Sequence, residues 1–374
     1  MPVVNASRSE SIKSLAQAGQ SIWLDFIQRG LISSGALAGW VEDGLRGLTS
    51  NPAIFEKAIV QSGDYDEALS AFRGRQLPPV QVYEALALRD MQDAADALWP
   101  VYERTQGIDG YVSLEVSPLL AHDALGTVQE AYRLWRAASR PNLMIKVPAT
   151  AQGIPAIEVL IEHGINVNVT LLFSQEIYEQ AAWAYVRGLE KRLERGETLS
   201  NLASVASFFV SRIDTAIDDA IDQKIAGGAA QELAGLKGLA AIANAKLAYQ
   251  RYKALLQHPR WKRLSEAGAR PQRLLWASTS AKNPRYRDVV YVEELIGPDT
   301  VNTVPPATLE AFIDHGRVKP TLEIGVDSAR LALRRLEEAG IPLDPVATRL
   351  LREAVQLFVE PFEKLIKAIE AKLG

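Results

Sequence analysis

Short apolar and β-branched stretches recur along the chain, each followed by a longer stretch in which apolar residues return every three to four positions. The short stretches cover residues 21–26, 47–50, 111–116, 143–147, 166–171, 204–210, 274–278 and 300–304. A brief apolar or alternating run marks a strand and a 3.6-residue period marks a helix, so the pattern predicts strands alternating with helices. Residues 125–138, LGTVQEAYRLWRAA, place Val128, Ala131, Tyr132 and Trp135 on one face, as a helix packed on a sheet requires. Repeated strand–helix–strand crossovers build a parallel sheet, and eight units are the number that closes a barrel. The expected fold class is α/β, a single (β/α)8 TIM barrel.

Two regions exceed what a barrel needs. An Ala-rich segment at about 226–270 is longer than one crossover helix and predicts a helical insertion. Residues from about 305 to 374 predict a C-terminal helical extension broken near Pro320, Pro342 and Pro361, since proline lacks an N–H and clashes inside a helix. The extension is expected to cover part of the barrel. Residues 1–374 are taken as one domain, and no short-period repeat suggests a solenoid.

The polar residues on the strands are the informative ones, because residues two apart on a strand share a face. Lys146 stands in the apolar run LMIKV on the face of Met144, and Asn166, Asn168 and Thr170 share one face of NVNVT. Asp25 ends IWLD, Glu115 follows Ser113 at the same parity, and Thr49, Ser50 and Asn51 close the second run before Pro52. These residues gather at the carboxyl ends of strands, where α/β barrels hold their active sites. Each also has an ordinary reading. Lys146 fits an edge lysine reaching water, Asp25 and Glu115 fit helix caps, Asn168 and Thr170 fit a polar barrel layer, and Asn51-Pro52 fits a turn. All of these coinciding at five strand ends is less economical than one shared site.

Composition narrows the chemistry. A net charge of −4 and no long basic run argue against a nucleic-acid partner, so any anionic ligand needs a locally basic site. The chain has no cysteine, which removes disulfides, thiolate metal sites and cysteine nucleophiles. Its four histidines are scattered without metal-ligand spacing, so no metal is expected. No apolar run suits a signal peptide or a membrane span, and the expectation is a soluble cytoplasmic protein without a membrane partner, a monomer or a homodimer.

The wording of two segments is familiar. Gly47-Leu48-Thr49-Ser50-Asn51-Pro52-Ala53-Ile54-Phe55 resembles the first transaldolase signature, and Leu143-Met144-Ile145-Lys146-Val147-Pro148-Ala149-Thr150, continuing to Gln152-Gly153-Ile154, resembles the second. The match extends through residues 164–174, and its overall wording resembles the long bacterial subgroup of that family. The resemblance implies a pentose-phosphate-pathway transferase that carries a dihydroxyacetone unit from sedoheptulose 7-phosphate or fructose 6-phosphate to an aldose phosphate, with no cofactor. It implies Lys146 as the Schiff-base nucleophile, Asp25 as acid/base, and Glu115 with Thr170 as holders of a proton-transferring water. Asn51, Asn168 and Ser207 would bind hydroxyls, and Arg212, Ser280 and Lys282 would bind phosphate, with Arg285 a weaker candidate. Two departures stand out: Phe26 replaces a second acid, and Ser280 replaces a glycine, leaving open whether Thr279 or Ser280 supplies the phosphate hydroxyl.

The chemistry fits these residue types. A free lysine, with pKa about 10.4, must be supplied unprotonated, for instance by desolvation beside Met144. The nearest alternative is a fructose-6-phosphate aldolase, which shares the lysine but resembles this pattern with glutamine and tyrosine in place of Glu115 and Phe209. A non-catalytic barrel used as a binding module is the alternative of another class.

Overall fold

A computed structural model describes residues 6–228 and 230–373. Its strands are β1 Gln20–Asp25, β2 Gly47–Thr49, β3 Tyr111–Glu115, β4 Leu143–Pro148, β5 Val167–Leu172, β6 Ser204–Phe209, β7 Arg273–Ala277 and β8 Thr300–Val304. Each expected strand is present, with its ends shifted by one residue at most. Neighbours pair in parallel in chain order and β8 returns to β1, closing a (β/α)8 TIM barrel. Helices cover the outside, so nearly every strand residue is buried on both faces.

Register sets the site. Glu115 of β3 lies beside Lys146 of β4, which lies beside Asn168 of β5, while Asp25 of β1 lies beside Thr49 of β2. Two glycines make the tight packing possible. A Cβ on Gly47 would fall 2.4 Å from the Trp23 indole, and one on Gly153 would fall 1.9 Å from the Pro148 carbonyl oxygen, so the turn after the lysine strand admits only glycine. β5 carries a bulge between Val169 and Leu172, where Leu171 takes φ 61°. Such bulges are found at barrel rims, where they redirect the chain.

Between β6 and β7 the helix Ser211–Ala226 is followed by a 3-10 turn, Gln231–Leu236, and two further helices, Ala240–Gln257 and Pro259–Glu266, which form the expected insertion. The extension consists of Pro306–His315, Val326–Glu338 and Leu343–Leu373. Breaks near Pro320 and Pro342 are present, but the last helix runs through Pro361. Its buried stripe of Phe358, Phe362, Leu365 and Ile369 holds it against the barrel. The carbonyl that loses its donor belongs to Leu357, on the exposed side, where solvent can satisfy it. The helix Ala124–Ala138 is also rotated from expectation: it buries Thr127, Ala131, Leu134 and Ala138, and Val128, Tyr132 and Trp135 lie half-buried at the flank. Among the described residues no helix is long and apolar enough to cross a membrane.

Candidate active site

A cavity of about 430 Å³ opens at the carboxyl ends of the strands, within the size range of small-molecule sites. It is lined by Asp25, Asn51, Lys146, Ser207, Phe209, Arg212, Ser280 and Lys282, eight residues that the sequence had nominated from widely separated segments. Glu115, Asn168 and Thr170 do not line it; they are buried immediately behind the lining. Among the described residues, no group of three or more carboxylates or histidines is placed to hold a metal.

Lys146 is 5% exposed, inside the barrel rather than at an edge. Its Nζ donates to the Ser50 carbonyl at 3.1 Å and lies 3.5 Å from Glu115 Oε2. The apolar group over the amine is the Phe358 ring, 5.7 Å from Nζ to the centroid. Met144, expected in that place, lies toward the start of β4 and lines a hollow at the opposite end of the barrel. Burial pushes Glu115 up to about 7, against the pull of Lys146 and with a contribution from the like charge of Asp25. Asp25 is also held above the usual carboxylate range by burial, opposed by Lys146, by the Thr49 hydrogen bond and by Lys282.

Neither acid caps a helix. Thr49 Oγ1 donates to Asp25 Oδ1 at 2.7 Å and is 2.7 Å from Thr303 Oγ1. Since Thr49 has one hydroxyl hydrogen, Thr303 is the donor in the second bond. Asn51 does cap: its Oδ1 accepts from the Ile54 N–H at 3.0 Å, which orients the amide and leaves its Nδ2 hydrogens for a ligand.

On the other side of Lys146, Asn168 is tied into the barrel. Its Nδ2 donates to Ser113 Oγ at 3.0 Å, and its Oδ1 accepts from Ser207 Oγ at 2.7 Å. Asn168 therefore meets the cavity through Ser207. Among the described residues, buried Thr170 Oγ1 has no hydrogen-bond partner, and buried Glu115 Oε2 has only the 3.5 Å approach of the Lys146 amine. Groups of this kind are expensive unless something polar reaches them during function.

The cationic end lies beyond Phe209, which packs on Phe173 at 5.1 Å and lies under the Arg212 guanidinium at 5.8 Å. Arg212 makes no ion pair among the described residues, and burial lowers its pKa. Ser278, at φ 55°, turns the chain after β7 and is 3.0 Å from Ser211 Oγ, bringing residue 280 beside Arg212. Thr279 Oγ1 is occupied internally, its single hydrogen shared between Asn302 Oδ1 at 2.9 Å and the Thr303 carbonyl at 3.1 Å. Ser280 is the hydroxyl that lines the cavity, and it accepts from Lys282 Nζ at 2.7 Å. Partial burial and the neighbouring Arg212 lower the Lys282 pKa. Arg285 is exposed and outside the lining.

Among the lining residues that sequence reasoning missed are Thr303, Lys57 and Phe358. Thr303 was accessible to the rule applied elsewhere, being a polar residue at the carboxyl end of a strand. Lys57 reads as an ordinary solvated helix lysine, and Phe358 as one more apolar position of an amphipathic helix.

The sequence matches a family profile described as Transaldolase/Fructose-6-phosphate aldolase over residues 22–369. It is 49% identical to a protein named Transaldolase from Trichodesmium erythraeum, over 95% of each chain. It is 50% identical to Transaldolase 2 of Nostoc punctiforme, over 96% of each, and 48% identical to a Transaldolase of Thiobacillus denitrificans, over 96% of this chain and 99% of that one.

Proposed function

Because this chain belongs to the transaldolase/fructose-6-phosphate aldolase family, we propose that it works as a transaldolase through a Schiff base on Lys146, moving dihydroxyacetone between sugar phosphates. The observation that carries the reading is the buried Lys146 amine, 3.5 Å from Glu115 in a cavity shared with Asp25 and a cluster of cations. A cytoplasmic location, where such substrates are found, goes with it.

In this scheme the Lys146 amine adds to the ketose carbonyl and water leaves, forming an iminium that serves as electron sink. Asp25 takes the proton from the hydroxyl on the fourth carbon, the bond between the third and fourth carbons breaks, and an aldose departs. The electron pair remains on Lys146 as an enamine. An acceptor aldehyde then takes the same three carbons by the reverse sequence, so the kinetics are ping-pong. The raised pKa of Asp25 suits a group that must both take and return a proton. Glu115, at about 7, is poised to exchange protons at neutral pH, and its Oε2, approached only by Lys146 at 3.5 Å, together with the unpartnered Thr170 Oγ1, supports their role as holders of a water. The iminium supplies the electron sink, so the scheme needs no metal or organic cofactor.

Asn51 Nδ2 and Ser207 Oγ take substrate hydroxyls, with Asn168 fixing Ser207. Arg212, Ser280 and Lys282 take the phosphate, for which Arg212 offers a planar fork that makes no ion pair among the described residues. Borohydride reduction with fructose 6-phosphate tests the reading: a stable three-carbon or hexose adduct mapped to Lys146 is expected, lost in Lys146→Ala together with transfer. Transfer by a folded Lys146→Ala enzyme would overturn it.

A further inference from the structure

We propose that Phe358, on the C-terminal helix Leu343–Leu373, is a positioning residue that walls the lysine-bound intermediate off from bulk water and thereby holds the reaction to transfer rather than release of free dihydroxyacetone. The inference rests on the Schiff-base reading of Lys146. The Phe358 ring lies 5.7 Å from Lys146 Nζ, lines the same cavity and is itself 6% exposed. Everything else within hydrogen-bond reach of that amine is polar: the Ser50 carbonyl and, just beyond, Glu115.

The helix that carries the ring is held in place by a chain of edge contacts that begins one turn further on. Phe362, one turn on, meets Tyr83 at 5.7 Å, and Tyr83 meets Phe55 at 5.7 Å. Phe55 lies on the helix that Asn51 caps. Lys364 Nζ pairs with Glu56 at 2.6 Å, on the same helix. The helix also packs against β5, the strand of Asn168 and Thr170. A side chain serving only to fill space on the outer surface of a barrel would not need to face the nucleophile.

The side reaction that this wall opposes is balanced. The enamine's carbon–carbon double-bond pair takes a proton at the third carbon, and the nitrogen lone pair regenerates the iminium. Water then adds at the second carbon, and the carbon–nitrogen bond breaks with the electron pair returning to Lys146, freeing dihydroxyacetone. Only a solvent proton and a water are consumed, so the rate depends on solvent access. An apolar face that excludes water protects reactive intermediates in this way.

The test compares acceptor-free release of dihydroxyacetone from fructose 6-phosphate with transfer to erythrose 4-phosphate, in the parent chain and in Phe358→Ala. The ratio of release to transfer should rise severalfold, because the substitution opens the amine to solvent while leaving the groups that handle the transferred carbons in place. Phe358→Val, which removes the ring but keeps an apolar side chain, decides the matter if the alanine variant does not fold. Purely structural loss lowers both rates together and leaves the ratio unchanged. That result, in a folded variant that still forms the borohydride adduct at Lys146, overturns the proposal. Absence of the adduct in the parent chain overturns the Schiff-base reading itself, and the proposal with it.

Discussion

Replacing Arg212 with alanine separates phosphate recognition from everything else the cavity does. The guanidinium lines the cavity, has no ion-pair partner among the described residues, and lies over the Phe209 ring at 5.8 Å. Its loss removes a charge-assisted bond to phosphate worth about 1.5–3 kcal/mol, roughly ten- to 150-fold in kcat/KM. A second bond of the fork is not added, because Ser280 and Lys282 remain and water reaches the vacated position at the rim. Stability should change little. The lost ring contact is worth about 0.5–1 kcal/mol, and it is offset by no longer burying a guanidinium whose pKa is already lowered by desolvation. The assay is kcat/KM for fructose 6-phosphate against that for fructose, at fixed ionic strength, with thermal unfolding of both proteins alongside. The phosphorylated substrate should suffer the full loss and the unphosphorylated one very little. Equal losses for the two, or a large fall in Tm, would show that Arg212 braces the barrel and that phosphate is held elsewhere.

Asp25→Ala should slow turnover by about 10²–10⁴-fold while the Lys146 adduct with dihydroxyacetone still forms on reduction, and normal turnover would remove Asp25 from the acid/base role. Phe209→Tyr places a hydroxyl able to donate a proton in the cavity, so acceptor-free dihydroxyacetone release should increase; an unchanged rate in a folded, transfer-competent variant would make Phe209 a packing residue only. Glu115 is raised from 4.5 to about 7, so the folded state binds its proton more tightly than the unfolded state does. That contribution to stability is complete below the unfolded value and is lost as pH rises through about 7. Between pH 5 and pH 8, denaturant titrations should therefore shift in favour of Glu115→Gln relative to the parent by up to about 3 kcal/mol, and parallel curves would refute the raised value.

The barrel was legible because each strand is a short apolar run bounded by polar or glycine-containing turns, and a buried parallel strand leaves just that trace. Most of the polar lining was legible for a related reason: set in the apolar run LMIKV or closing IWLD, Lys146 or Asp25 has no ordinary companion beside it and shows itself. Helices blur the signal. Pro361 read as a stop because local chemistry opposes a helix there, yet the stripe around Phe358 and Phe362 outweighs one lost backbone bond. Phe358 itself has no local mark, since its partner is a lysine on a distant strand. Asn168 was recognised as polar and inward, but only the coordinates show that Ser113 and Ser207 occupy both ends of its amide.

The position of that last helix in the chain has a consequence for synthesis on the ribosome. Barrel closure already needs the two ends of the sheet, with Gln20 Nε2 donating to the Leu295 carbonyl across 275 positions. The wall over Lys146 comes later still, from a helix that ends at residue 373. Chains are made from the amino terminus and contacts of long separation form slowly. An emerging polypeptide thus holds its nucleophile well before the helix that faces it has been made. Reactive sugars meet the amine in its finished surroundings only after residues 343–373 have been made.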